Sequence, residues 1–125
     1  MGREATSREL ALAAARAASE KQAERIVILD VRDLIVITDY FVIASGSSDR
    51  QVKTVSQEVE EALRVLGTKP VRREGEVEAR WLLLDFIDVV IHVFASEERD
   101  FYDLERLWMD APRVDCESED EASSG

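Results

Sequence analysis

The stretch from Trp81 to Phe94 limits most strongly what this chain can fold into. It contains two apolar segments, residues 81–86 and 89–94, with almost no room for a connection between them. Continuous apolar segments of this length are typical of strands buried at the centre of a sheet. The sequence therefore predicts two adjacent buried strands joined by a very short turn.

The turn of this predicted hairpin has an unusual sequence. Tight turns favour Gly, Asn or Asp, which tolerate a positive φ, but the candidate tip is Phe86-Ile87, with Asp85 and Asp88 on either side. Large apolar side chains at a tip are hard to bury, so we expect Phe86 and Ile87 to be exposed. An apolar tip flanked by acids fits a protein partner that is apolar in the middle and basic around it.

Length and charge narrow the classes of partner. The chain has 125 residues, enough for one compact domain, and 46% of them are hydrophobic. Its 27 acidic residues outnumber its 16 basic ones, which gives a net charge of −11. This balance argues against direct, sequence-specific binding of nucleic acid and favours a basic protein as partner.

Other features bear on the compartment. No segment approaches the length of about 18 apolar residues that a membrane span needs, and the first residues lack the pattern of a signal peptide. The single cysteine, Cys116, cannot form an internal disulfide. We therefore expect a cytoplasmic protein with no membrane partner.

The order of apolar patterns predicts an α/β fold. We expect a single-layer mixed sheet of about five strands flanked by helices, and residues 34–38 read equally as the end of a hairpin or a short helical turn. A right-handed βαβ unit is expected to join the second and third strands. The folded domain is predicted to cover residues 1–112, followed by an acidic, disordered tail at 113–125. The predicted helices cover residues 6–23, 49–66 and 96–111, and the predicted strands cover 25–31, 40–45, 70–73, 81–86 and 89–94.

The predicted helices have local signals of their own. Thr6 and Glu9 have the spacing of a capping box, but the apolar face of the first helix is mostly alanine, which buries little area, so we expect this helix to be loosely held. The second helix has an apolar stripe at helical spacing and is followed by Gly67. Ser96 is expected to cap the last helix.

Two segments could in principle serve an enzyme. Gly46-Ser47-Ser48, between a strand and a helix, offers backbone N–H groups to an anion, although simple capping of the helix explains the serines better. The alternating acids Glu74, Glu76 and Glu78 could bind Mg²⁺ if they lay on a rigid strand, but a solvated loop is the simpler interpretation. We therefore predict no cofactor and no metal.

Polar side chains within the hairpin have more than one interpretation. His92, the only histidine, is more readily a structural residue hydrogen-bonded to Asp85 or Asp88 than a metal ligand. The two aspartates could be a general acid and base, but no nucleophile or metal accompanies them. Solubilising the turn and pairing with basic residues of a partner are equally good explanations.

Aromatic residues are the best candidates for anchors in a partner. Trp81 begins a strand after a polar loop and Phe86 lies at the turn, so both are expected at the surface. Trp108 falls on the apolar face of the last predicted helix and is expected in the core.

Taken together, the motifs resemble the Iojap family of ribosomal silencing factors. The resemblance runs from about residue 13 to 112 and rests on blocks that occur in the same order. These blocks are Leu29-Asp30-Val31, Thr38-Asp39-Tyr40-Phe41-Val42-Ile43-Ala44-Ser45-Gly46-Ser47-Ser48, Glu74-Gly75, Trp81-x-x-x-Asp85, Asp88-Val89-Val90-Ile91-His92-Val93-Phe94 and Phe101-Tyr102-x-Leu104-Glu105-x-Leu107-Trp108.

The resemblance implies a function without catalysis. It implies binding to the large ribosomal subunit through its fourteenth protein, which blocks joining of the small subunit and lowers translation when nutrients are scarce. It also implies a nucleotidyltransferase-like fold without the catalytic acids, and contacts from Trp81 and Phe86 with an acidic flank at Asp85 and Asp88. The family commonly has a small or polar residue where this chain has Ile87. Two effects of this isoleucine are expected as alternatives, a deeper apolar contact with the partner or an altered turn.

Two other functions fit the same sequence. One is a metal-dependent nucleotidyltransferase-like enzyme that uses Gly46-Ser47 with Glu74 and Glu76. The other is a dimeric scaffold module, and a homodimer of the free protein is compatible with ribosome binding as well. If the ribosomal function is right, Trp81→Ala and Phe86→Ala are each expected to weaken subunit binding without unfolding the domain.

Overall fold

The computed structural model describes residues 5–115 and confirms the α/β fold. Six strands form one mixed sheet flanked by helices. The helices are α1 (Ser7–Glu20), α2 (Asp49–Val65), α3 (Ser96–Tyr102) and α4 (Leu104–Leu107). The strands are β1 (Glu24–Asp30), β2 (Tyr40–Gly46), β3 (Arg72–Glu74), β4 (Trp81–Asp85), β5 (Val89–Ala95) and β6 (Arg113–Val114).

The strand order is β3-β4-β5-β2-β1-β6, with β2 and β5 parallel and every other neighbouring pair antiparallel. The predicted hairpin is present as β4 and β5, and β5 lies in the middle of the sheet. The sixth strand comes from Arg113 and Val114, which pair with β1 although the sequence placed them in the acidic tail. The rest of that predicted tail, from Cys116, lies outside the described residues.

Helix α1 is held more firmly than its composition suggested. Thr6 and Glu9 form the predicted capping box at its start. We expected a loosely held helix because alanine buries little area, but α1 lies against α2 and the sheet. Small side chains let the helix approach its neighbours closely, so the face is fully buried. The buried residues of α1 are Leu10, Ala11, Leu12, Ala14, Ala15, Ala17 and Ala18.

Helix α2 and its flanking strands match the predicted pattern, with one difference in topology. The helix begins at an N-cap serine, Ser48, and Gly67 follows its end at φ 95°. The next strand, β3, lies at the edge of the sheet, separated from β2 by β5 and β4. The connection through α2 therefore joins β2 to β3, which are not neighbours. The two strands between them, β4 and β5, come later in the chain.

The structure decides the segment after β1, which the sequence left open, and shows a break in the last helix, which was predicted as continuous. After β1 the chain makes a helical turn, in which the N–H groups of Leu34 and Ile35 donate to the Val31 carbonyl. The predicted last helix is broken at Asp103, which has a φ of 48° and separates α3 from α4. Ser96 does not cap this helix as predicted, since its hydroxyl donates to the Gly46 carbonyl instead.

The β4–β5 turn contradicts one prediction and explains how Ile87 is accommodated. Phe86 is only 5% exposed and packs into the core between the sheet and the helices, so the expectation that its ring lies at the surface is wrong. Ile87 is 56% exposed and has a φ of 74°. A carboxylate oxygen of Asp85 accepts a hydrogen bond from the Ile87 N–H at 2.8 Å, and this bond helps to hold the strained residue in place.

We predict that Ile87→Gly stabilises the domain. A β-branched residue at positive φ carries strain of about 1–3 kcal/mol, and glycine removes it at an entropic cost of roughly 0.5–1 kcal/mol. The expected net gain of about 1 kcal/mol is measurable by urea unfolding. Asp85→Ala, which removes the hydrogen bond to the turn, is expected to lower stability, and a loss of stability in the glycine variant would contradict the account.

Candidate functional site: the open face of the sheet

The two faces of the sheet are covered very differently. Alternate side chains of the central strands point toward α1 and α2 and form the larger core cluster. On the opposite face, α4 and the segment after it pack over β1 and β2 through Leu104, Trp108 and Ala111. The part of this face on β4 and β5 is less completely covered.

We call this less covered part of the sheet the open face. The side chains of Trp81, Leu83 and Asp85 on β4, Val90 on β5 and Phe41 on β2 are all partly exposed there. Apolar side chains on the helical side of the same strands, such as Leu84 and Ile91, are at most 1% exposed. A partly exposed aromatic and aliphatic patch on a rigid sheet is typical of a protein-binding surface.

Trp81 is held in a defined position on the open face. Its ring stacks on Phe94 with a centroid separation of 4.9 Å and contacts the Tyr102 ring at 4.6 Å. Its indole Nε1–H donates a hydrogen bond to Nδ1 of His92 at 3.1 Å. Trp81 is therefore partly exposed, as predicted, and its orientation is fixed from three directions.

His92 lies beneath this surface and is 6% exposed. Because burial disfavours the charged imidazolium, the pKa of His92 falls from 6.5 to about 4. Its hydrogen bond is to Trp81, so the predicted bond to Asp85 or Asp88 is absent, and its Nε2 is buried without a hydrogen-bond partner among residues 5–115. His92 is a buried structural residue, as expected, but its partner is aromatic and not acidic, and within this range only one of its two ring nitrogens is hydrogen-bonded.

Two acidic side chains, Glu78 and Glu98, lie beside Trp81. A cleft of about 230 Å³ beside the indole is lined by Gly75, Glu78, Arg80, Trp81, Glu98 and Tyr102. Arg80 forms ion pairs with Glu98 at 2.8 Å, Asp49 at 2.9 Å and Glu97 at 3.4 Å, so three carboxylates surround one guanidinium. Glu78 adds another exposed carboxylate to the cleft. The margin of the open face next to Trp81 is therefore negative on balance.

The remaining aromatic and turn residues that the sequence singled out lie in different places. Asp85 lies on the open face, 3.6 Å from Arg72, with its side chain 23% exposed. Ile87 and Asp88 are exposed at the end of the sheet, whereas Phe86 supports the turn from inside. Trp108 is partly buried against Phe41, with ring centroids 5.3 Å apart, so it lies at the margin of the open face.

A buried ion pair that the sequence did not reveal fixes the helices at this margin. Arg99 is 1% exposed and donates to the Glu105 carboxylate, to Ser45 Oγ and to the Arg25 carbonyl. Burial tends to raise the pKa of Glu105, but hydrogen bonding and charge from Arg99 outweigh burial and lower it. This cluster ties α3 and α4 to the ends of β1 and β2.

The Gly46-Ser47-Ser48 segment, one of the two considered for enzymatic chemistry, caps a helix. The Gln51 carboxamide oxygen accepts from the Ser47 N–H at 2.7 Å, and Ser48 Oγ accepts from the Gln51 N–H, so helix capping occupies this junction. A Cβ added at Gly46 would lie 3.0 Å from the Val52 nitrogen, which explains the glycine by close packing. Within residues 5–115, no group of three or more metal-ligating side chains comes together, and no helix is long and apolar enough to cross a membrane.

Sequence reasoning missed the part of the site that lies on other strands. Phe41, Leu83 and Val90 join Trp81 only because β2 and β4 both flank β5. A signal was available in the alternation of β4, where positions 81, 83 and 85 share one face. Which face the helices cover depends on the connections, and the sequence alone did not give these.

Comparison with known proteins shows similarity to one family over most of the chain. The family model described as "Ribosomal silencing factor during starvation" matches residues 4–125. The chain is 40% identical over 112 residues to ribosomal silencing factor RsfS of Halalkalibacterium halodurans, covering 90% of this chain and 96% of that protein. It is 43% identical over 104 residues to RsfS of Bacillus subtilis, covering 83% and 88%. A crystal structure from Chromobacterium violaceum superposes with a TM-score of 0.80 at 34% identity, covering 83% of this chain and 87% of that one.

We predict that His92 makes the domain sensitive to mild acid. A pKa lowered from 6.5 to about 4 on folding means that the unfolded chain binds the proton more tightly. The contribution of neutral His92 is complete above pH 6.5 and is lost as the pH falls toward 4. At pH 5 the loss should be about 2 kcal/mol.

His92→Phe, which cannot bind this proton, is the control. Urea unfolding at pH 7.5 and pH 5 should show a smaller loss of stability for this variant than for the natural protein. Equal losses in the two proteins would contradict the assignment.

Proposed function

The chain belongs to the ribosomal silencing factor family, and we propose that it silences translation by docking its open face on the fourteenth protein of the large ribosomal subunit. The bound domain blocks joining of the small subunit. Repression under nutrient limitation then follows from occupancy of this surface, and the protein performs no chemistry on a substrate. The identity of the partner comes from the family resemblance, and the geometry of the chain supports the choice of surface.

The observation that carries the proposal is the position of Trp81. Its ring is partly exposed and oriented on a rigid sheet, on the same face as Leu83, Val90 and Phe41. Buried tryptophans dominate the binding energy of many protein interfaces, particularly when their conformation is fixed before binding. The sheet therefore offers one strong anchor with an apolar surround.

Charge supports a basic partner. The chain carries a net charge of −11, and acidic side chains flank both ends of β4, with Glu78 and Glu98 near Trp81 and Asp85 and Asp88 near the turn. Complementary charge accelerates encounter and excludes wrong partners more than it adds affinity. A ribosomal protein with exposed basic residues around an apolar centre has the matching surface.

Steric exclusion is a sufficient mechanism for a domain of this size. A compact chain of this length has a radius of gyration of about 14 Å. A body of that size on the joining face of one subunit holds the other beyond the reach of direct contacts. The function then requires tight placement on the surface and no catalytic group.

The proposal includes the setting in which the protein works. The relatives at 40% and 43% identity are bacterial, and bacterial ribosomal subunits are in the cytoplasm, so we place the protein there. A homodimer of the free protein is also part of the proposal, because two copies that meet through the open face would cover the surface that docks on the ribosome.

We predict that Trp81→Ala weakens binding to the large subunit by about 30-fold or more, as expected for loss of a central anchor worth roughly 2 kcal/mol or more. Co-sedimentation with purified large subunits through a sucrose gradient measures the change. Val65→Ala is the matched control. Val65 is 70% exposed on α2, so this substitution removes apolar surface away from the open face. Equal binding by the two variants would contradict the choice of surface.

The burial of Phe86 replaces the prediction that Phe86→Ala weakens subunit binding without unfolding the domain. Since Phe86 is buried, Phe86→Ala should destabilise the fold by about 3–5 kcal/mol. Urea unfolding measures this loss, and a variant that keeps normal stability but fails to bind subunits would restore Phe86 as a direct contact.

The acidic flank has its own prediction. Asp88→Asn should weaken binding by a few-fold at low salt and by less at high salt, because the side chain is exposed and its effect is screened. Glu20→Gln makes the same change of net charge at an exposed position at the end of α1 and serves as the control. A salt-independent effect, or an equal effect of both variants, would contradict a role for Asp88 in steering.

A further inference from the structure

We propose that His92 is a positioning residue, which fixes the indole of Trp81 in the orientation that the partner binds, at a cost to the stability of the fold. The inference rests on the proposed function, because the orientation of Trp81 matters only if its ring is the anchor. It assigns to a buried histidine a role in recognition although His92 itself lies beneath the surface.

The geometry places His92 where it controls the exposed ring. His92 and Phe94 lie on the same face of β5, and Trp81 pairs with Phe94 across the β4–β5 ladder. Stacking on Phe94 at 4.9 Å fixes the plane of the indole. A half-turn about χ2 would keep that plane but would move Nε1 to the opposite side. The 3.1 Å bond from Nε1–H to His92 Nδ1 selects one of these orientations.

The hydrogen bond also determines the tautomer of His92. An indole N–H can only donate, so Nδ1 of His92 accepts and carries no proton. The neutral ring must then carry its proton on Nε2, which is buried and has no acceptor within residues 5–115. The edge-on contact with Phe41, at 5.3 Å and 90°, and the leucine and isoleucine neighbours of His92 on β4 and β2 leave an apolar environment.

This arrangement is a poor choice if packing is the only requirement. A buried donor without an acceptor is destabilising, and phenylalanine would fill a similar volume without that cost. What phenylalanine cannot supply is the acceptor at Nδ1. The histidine therefore makes the fold less stable but supplies a fixed hydrogen-bond acceptor. A local cost to stability of this kind is expected at a functional site.

Fixing the ring matters because binding otherwise has to order it. A tryptophan that samples several rotamers loses that freedom when it enters a pocket, and affinity falls accordingly. A ring already held by stacking and by one directional bond avoids this loss. Anchors supported from behind by a second layer of residues bind with better-defined geometry.

Two variants of His92 separate positioning from packing. His92→Phe keeps an aromatic ring and removes the acceptor, whereas His92→Asn keeps an acceptor oxygen near the position of Nδ1 and removes the ring. Urea unfolding at pH 7.5 and co-sedimentation with purified large subunits are measured on both, with Trp81→Ala and the natural protein alongside.

The proposal predicts opposite orders for stability and affinity. His92→Phe should be as stable as the natural protein or more stable, yet bind subunits about tenfold more weakly. His92→Asn should be less stable but, at concentrations corrected for the folded fraction, bind within about threefold of the natural protein. Affinity that follows stability across the two variants would overturn the positioning role.

The same experiment distinguishes failure of the inference from failure of the proposed function. If Trp81→Ala binds normally, the open face is not the docking surface and both are overturned. If Trp81→Ala binds weakly and His92→Phe binds normally, only the role of His92 is overturned.

A measurement on the natural protein does not depend on any variant folding. Nitrogen-15 NMR of the imidazole should show the proton on Nε2 at pH 7.5, and the Nε1 proton of Trp81 should exchange more slowly than that of Trp108. A proton on Nδ1 would overturn the proposal.

Discussion

Unequal covering of the two faces of one sheet is the constraint on which the rest of this structure depends. Helices α1 and α2 bury the central strands on one face, with alanines allowing α1 to approach closely. On the other face, α4 and the segment after it pack over β1 and β2. The partly exposed residues of β4, β5 and β2 therefore lie on a platform made rigid by the opposite layer, which lets them stay in place without a cover of their own.

Different hydrogen bonds and ion pairs hold the two ends of the open face. Near the turn, Asp85 stabilises the strained backbone of Ile87 and remains close to Arg72. At the far end, the buried Arg99–Glu105 pair ties α3 and α4 to the sheet, and Tyr102 at the end of α3 closes against Trp81. In each case a charged side chain hydrogen-bonds local polar groups and holds the neighbouring backbone in place.

Local patterns predicted the parts of the fold that depend on local physics. The capping box at Thr6, the apolar stripe of α2 and the buried pair of strands are all present. The direction of Phe86 was predicted wrongly, because the prediction treated this residue as the tip of the turn. Phe86 continues the alternation of β4 and lies on the same buried face as Leu82 and Leu84. The bond between Trp81 and His92 could not be predicted, since the register of β4 against β5 decides it.

Photo-crosslinking from position 83 tests the central claim most directly. Leu83 is partly exposed near the middle of the open face, so a photoreactive amino acid there should attach to the fourteenth protein of the large subunit. The same probe at position 65 on α2 should not attach to that protein. Attachment from position 65, with none from position 83, would show that the helical layer faces the ribosome and would contradict the account.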